Sequence, residues 1–286
     1  MAQSGYCRVV LWWPNGILTG PRARYVTMEL RLMSDAFSDA ELSCNAFLGG
    51  RLQILQPLNG YRAGVDPVLL AASIVATPGQ SVLELGCGAG VATLCLGARI
   101  SGLELNGLEI QPNYADLARR NSERNKIVIN VVEGDLSAIP DIFRLRQFDH
   151  VIANPPYFLR SKSVSARDTG RETALGEATP LSEWIKVAAK RCAPKGQVSM
   201  IHRVERLPEI LAGYSAHLGS VQVQPLVARR GRNAQLVIVR GVKNGRADFR
   251  LMDGIKMHRG KTHEEDSESY TKTIRSVLRD GADLAF

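Results

Sequence analysis

The chain contains no uninterrupted apolar run of about 18 residues; its longest early stretch, Val9-Val10-Leu11-Trp12-Trp13, is cut by Pro14. That excludes a membrane-spanning helix and a signal-peptide core, so a cytoplasmic protein is expected. Cysteine is scarce and unpatterned. The five (Cys7, Cys44, Cys87, Cys95, Cys192) are odd in number, lack C-x-x-C spacing and have no histidine pair nearby. A disulfide framework and a zinc site are therefore excluded, and reduced, mostly packed thiols are expected. The five histidines (His150, His202, His217, His258, His263) show no ligand spacing, so no metal is expected and they read as structural or surface residues. Internal repeats and low-complexity tracts are absent. Residues 1–45 lack any sustained period and read as a poorly ordered leader, with Met33 as an alternative start.

What is present is a core. With 286 residues, 45% of them apolar, the chain can bury one large α/β domain. We place that domain at residues 46–245, followed by a basic C-terminal extension, 246–286, packed on it or trailing it, in a monomer. The net charge is +8, and between Arg229 and Lys261 ten Lys/Arg face only Asp248 and Asp253. A charge run is ordinarily a solvated face; the functional alternative is an anionic partner.

From residue 49 the pattern becomes regular. "LGGRLQILQP" reads as a hairpin region, and "DPVLLAASIVA" as a helix opened by Asp66 and Pro67. Strands are expected at 81–85, 103–110, 127–135, 148–154, 197–202, 220–228 and 234–242. Helices separate the first six, and "APKG" (193–196) ends the helix before the fifth strand. This alternation predicts a doubly wound, mostly parallel sheet of seven strands. The last two strands, joined by the short turn "RRGRN", predict one antiparallel edge strand.

Between the first strand and its helix lies Glu84-Leu85-Gly86-Cys87-Gly88-Ala89-Gly90. The three glycines allow a tight turn and let a ligand rest on bare backbone at a helix N-terminus. The spacing is not the dinucleotide fingerprint, and Glu84 would repel a pyrophosphate but attract a cationic ligand. Glu109 ends the second strand, 23 residues beyond Gly86, where a carboxylate can accept from ribose hydroxyls. Asp135 ends the third and can accept from an adenine amino group. In series, these residues resemble the S-adenosylmethionine site of class I methyltransferases, which implies a Rossmann-like fold and that cofactor.

The fourth strand stops at Asn154-Pro155-Pro156-Tyr157. A planar amino nitrogen shares its lone pair with its ring or carbonyl, so it is a poor nucleophile until acceptors hold its hydrogens. Asn154 and the Pro155 carbonyl offer two acceptors, the prolines fix their direction, and Tyr157 can stack on a flat substrate. Phe158 either joins that grip or packs beneath the loop. The motif resembles the signature of methyltransferases acting on planar amides and exocyclic amines. Trp184 reads as a core residue of its helix.

Gly49 to Ala71, with Gly64-Val65-Asp66-Pro67-Val68-Leu69-Leu70, resembles the segment preceding the cofactor site in bacterial adenine N6-methyltransferases that modify the anticodon loop of a valine tRNA. The resemblance covers roughly residues 45 to 245. It implies tRNA as partner and gives the basic stretch a role: Arg229, Arg230 and Arg232 would contact phosphates. Arg160, Lys162, Arg167 and Arg171 would form a lip that orders on RNA. Three rival readings remain at this point. One is methylation of a glutamine amide in a release factor, for which the N-terminal helical bundle is missing. Another is methylation of another RNA or a DNA base. The last is a non-catalytic RNA-binding module.

Overall fold

Strands buried on both faces need no polar alternation, and the apolar runs between helices pair in parallel for that reason. The computed structural model describes residues 36–159, 176–177, 179–260 and 269–284. In chain order these form β1 (Leu42–Phe47), β2 (Leu52–Pro57), α1 (Asp66–Ser73), β3 (Ser81–Leu85), α2 (Val91–Arg99), β4 (Glu104–Glu109) and α3 (Pro112–Asn125). Next come β5 (Ile129–Glu133), α4 (Asp141–Arg144), β6 (Phe148–Ala153), β7 (Phe158–Leu159), β8 (Gly176–Glu177), α5 (Leu181–Arg191) and β9 (Cys192–Arg203). The chain then forms α6 (Leu207–His217), β10 (Gly219–Val227), β11 (Ala234–Val242), β12 (Arg250–Leu251), β13 (Ile255–Lys256) and α7 (Lys272–Arg275).

The main sheet runs β12-β10-β11-β9-β6-β3-β4-β5, with β13 also on β10. Strands β9, β6, β3, β4 and β5 are mutually parallel. Strand order reverses between β3 and β6, the switch point at which open α/β sheets bind ligands. All seven expected strands are present, and β12 and β13 add two residues each at the edge. The antiparallel strand, however, is not at the edge. β11 is antiparallel to both β9 and β10 and lies between them. The helix α6 carries the chain one strand position beyond β9, and the hairpin return fills the gap.

Alternation along β3 and β6 divides the core. Val82 and Ile152 face Leu69, Leu94 and Leu117 of α1, α2 and α3, while Leu83, Leu85 and Val151 face Ile185 and Tyr214 of α5 and α6. Two further expectations are corrected. The sequence "APKG" does not separate helix from strand; it lies inside β9, where Phe148 pairs with Cys192 but His150 already pairs with Gln197. The extra residues bulge outward through Lys195 at φ 66°, and a Cβ at Gly196 would lie 2.7 Å from the Asp149 carbonyl oxygen.

The leader does not extend to residue 45. Ser38 and Glu41 form a reciprocal cap on a short turn, and β1 begins at Leu42. β1 and β2 form one hairpin, which α3 holds by its side chains. Asn121 accepts from the Leu55 amide (2.7 Å) and donates to the Leu55 carbonyl (3.0 Å), while Asn125 does the same for Gln53 at 2.8 and 3.0 Å. Two asparagines one helical turn apart thus satisfy the free edge of β2. Residues 1–35 lie outside the described residues.

The C-terminal extension is built into the domain. Ile274, Val277 and Leu284 are buried in the same core cluster as α1, and the Leu284 amide donates to Ala72 (2.8 Å). Among the described residues no helix is long and apolar enough to cross a membrane.

Candidate active site

The carboxyl ends of β3, β4 and β6 open into one cleft, closed from above by the segment after β2 and by α5. Gly86, Gly88 and Gly90 all adopt left-handed φ, at 64°, 53° and 79°. Only glycine takes this conformation without strain in three alternate positions. A Cβ on Gly86 would lie 2.6 Å from the Trp184 ring, so Trp184, packed against the core as expected, also lies over the turn and lines the cleft. At Gly88 a Cβ would meet nothing within 4 Å, and the turn leaves bare backbone facing the cleft there.

Glu84 is buried at the end of β3. It accepts hydrogen bonds from the Thr93 amide (3.0 Å) and the Thr93 hydroxyl, pinning the first turn of α2. Burial pushes its carboxyl up to about 8, against the pull of those bonds. Glu109 is also buried and raised by burial; it accepts from the amides of Gly88 (2.8 Å) and Gln111 (2.9 Å). Both carboxylates line the cleft and retain further lone pairs.

Asp135 does not join them. Its Oδ1 accepts from the Ser137 amide (2.8 Å) and caps the turn Leu136–Ala138, and the residue is not among those lining the cleft. Gly134, just before it, packs so closely on Pro140 that a Cβ there would lie 2.5 Å from the ring.

Asn154, Pro155, Pro156 and Tyr157 all line the cleft opposite the glycine turn. The Tyr157 hydroxyl lies 2.6 Å from Asp66 Oδ2 and 3.0 Å from Asn154 Oδ1. The Tyr157 ring rests on His202, centroids 5.1 Å apart. Tyr61 lines the cleft as well, and its amide donates to Tyr114 Oη at 2.7 Å. Tyr61, Tyr114, Gln56 and Trp184 therefore belong to the cleft although no motif marked them. In the sequence Asp66 marks only a helix start and part of a resemblance. Contact with Tyr157, 91 residues later, is what gives it a place in the site.

The Phe158 side chain lies outside the described residues, as do Arg160, Lys162, Arg167 and Arg171. Arg229 is half-buried and committed to the C-terminal segment, donating to the Arg259 carbonyl and to Ser269 Oγ (3.0 Å). Arg230 and Arg232 are exposed, and none of the three lines the cleft.

Residues 65–206 match the family model of the methyltransferase small domain. Over that stretch, just under half of its length, the chain is similar to this family. Relatives include two proteins from Porphyromonas gingivalis strains, each named tRNA1(Val) (adenine(37)-N6)-methyltransferase and each 31% identical over 56% and 52% of this chain. The matches span 66% and 61% of those proteins, just under two thirds of their length. A Shewanella halifaxensis protein of the same name is 29% identical over 63% of this chain and 74% of its own. Among solved structures, a predicted O-methyltransferase from Agrobacterium tumefaciens superposes with a TM-score of 0.61 at 25% identity, over 77% of this chain and 99% of that one.

The chain shares the α/β fold of that solved methyltransferase, and S-adenosylmethionine is the cofactor its sequence motifs lead one to expect. The cleft fits that group: an open glycine backbone at Gly88 and two buried carboxylates suit a cationic ligand that also carries ribose hydroxyls.

Proposed function

We propose that the protein transfers the methyl group of S-adenosylmethionine to the exocyclic N6 of an adenine in tRNA, within the anticodon loop of a valine tRNA. The observation that carries this reading is Asn154, whose side chain enters the cofactor cleft beside the Tyr157 ring. When bound, the cofactor supplies a methyl already activated for nucleophilic attack. Glu84 and the turn Gly86, Gly88 and Gly90 would hold its cationic end, and Glu109 its ribose. Asn154 Oδ1 and the Pro155 carbonyl would accept the two hydrogens of the amino group and aim its lone pair, and Tyr157 would stack on the base. No group need remove a proton before attack.

The names of the relatives support tRNA as partner. Strand topology supports it as well. Leu236 at the start of β11 pairs with Arg203 at the end of β9, so the loop carrying Arg230 and Arg232 lies at the same end of the sheet as Asn154. The test incubates the protein with labelled cofactor and separate pools of tRNA, rRNA, duplex DNA and release factor, followed by nucleoside and amino-acid analysis. Label as N6-methyladenosine in tRNA is expected. Label only in protein glutamine would sink the reading.

A further inference from the structure

We infer that Asp66 is a positioning residue that draws the Tyr157 hydroxyl proton away from Asn154 and so keeps the Asn154 oxygen open for the substrate's amino group. This rests on the proposed use of Asn154 as an acceptor. Tyr157 has one hydroxyl proton and two oxygens within reach: Asp66 Oδ2 at 2.6 Å and Asn154 Oδ1 at 3.0 Å. A hydroxyl bonded to a carboxylate sits at about 2.5–2.7 Å and is roughly twice as strong as a neutral bond, whereas 3.0 Å is at the long limit for O–H···O. The competition is therefore decided for Asp66.

Burial raises the Asp66 carboxyl above its ordinary value, and three features oppose that pull: the hydrogen bond from Tyr157, the charge of Arg203 and the first turn of α1, where helix amides favour an anion. His202 holds the Tyr157 ring from a further side. Without Asp66 the same hydroxyl has Asn154 Oδ1 as its nearest acceptor, and an oxygen already accepting from Tyr157 directs less lone-pair density at a substrate N–H. The arrangement also explains why a residue far upstream of the glycine turn should be aspartate. Its partner is the last residue of N-P-P-Y.

A double-substitution cycle separates this role from simple support of the fold. Asp66→Ala should lower kcat roughly tenfold or more while the cofactor Kd stays within about twofold. Tyr157→Phe removes the competing proton and should lose less. Combining the two should then cost nothing beyond Tyr157→Phe, so the second change rescues the first. Losses that add in the double variant would overturn the inference.

A crystal structure of Asp66→Ala reads the same point without any substrate. The contact from Tyr157 Oη to Asn154 Oδ1 should shorten below the present 3.0 Å, and an unchanged or longer contact would overturn the inference. Asp66→Asn, whose amide can donate to Tyr157 Oη, serves in both measurements if the alanine variant does not fold. Failure of the unsubstituted protein to methylate tRNA would count against the proposed function alone, because the crystallographic comparison does not depend on it.

Discussion

Glu84 is where burial and binding pull in opposite directions. Its carboxyl is pushed up to about 8 by burial, so the proton is largely retained at neutral pH. A raised acid stabilises the fold fully below its ordinary value, near 4.5, and loses that contribution as pH rises through about 8. An arriving ammonium reverses the preference by favouring the carboxylate. Cofactor affinity should accordingly tighten as pH rises from about 6 to 7.5, with proton release visible by calorimetry in buffers of different ionisation enthalpy. Glu84→Gln should abolish that protein-linked proton release; release unchanged in the variant would place the titration elsewhere. Gly86→Ala tests the turn beside it. A side chain forced to φ 64° with its Cβ 2.6 Å from the Trp184 ring should cost about 2 kcal/mol or more in denaturant unfolding. Glu84, Glu109 and the glycines were legible because their spacing to strand ends is local. Asp135 has the same local signature, but its Oδ1 caps the turn Leu136–Ala138 and the residue is not among those lining the cleft, which no spacing rule records.

The parallel strands were legible because each apolar run and its following helix carry their own period. What joins elements distant in sequence was not. Helix α3 is rich in polar residues, yet Asn121 on it is fully buried, pairing with Leu55 and also donating to the Ala89 carbonyl (3.0 Å) in the glycine turn. Asn121→Ala would strand a backbone amide and carbonyl of β2 together with Ala89. The expected cost is about 1–3 kcal/mol in thermal or denaturant unfolding, with weaker cofactor binding because Gln56 at the end of β2 and Tyr61 beyond it line the cleft. Asn125→Ala, on the more exposed end of the same pairing, should cost less. The C-terminal segment was obscured in the same way: its arginines and lysines announced a surface, while Ile274 and Val277 bury themselves against α1. Ile274→Ala should destabilise the domain by about 2–4 kcal/mol, which an unfolding titration would read directly.

Across the molecule, the run of ten basic residues does not form one surface. Arg240 is buried and donates to the Ser73 carbonyl, and Arg229 is spent on the C-terminal segment. β10 is parallel to β9 in direction, since each is antiparallel to β11. Its start, paired with β12 at Arg250, therefore lies at the amino edge of the sheet, and its end, paired with β13 at Lys256, at the carboxyl edge. Arg230, Arg232 and Lys256 thus stand at the end that carries Asn154, whereas Arg246 and Arg250 stand at the other. If tRNA is docked over the cleft, only the first group meets phosphate. Arg230→Ala and Arg232→Ala should each weaken tRNA binding and lower the slope of log K against log salt by about 0.7–1. Arg250→Ala should leave both unchanged, although it removes the same charge. A net-charge effect would move all three variants alike, so equal slopes across them would show that RNA is held by the overall field and not by the rim around the site.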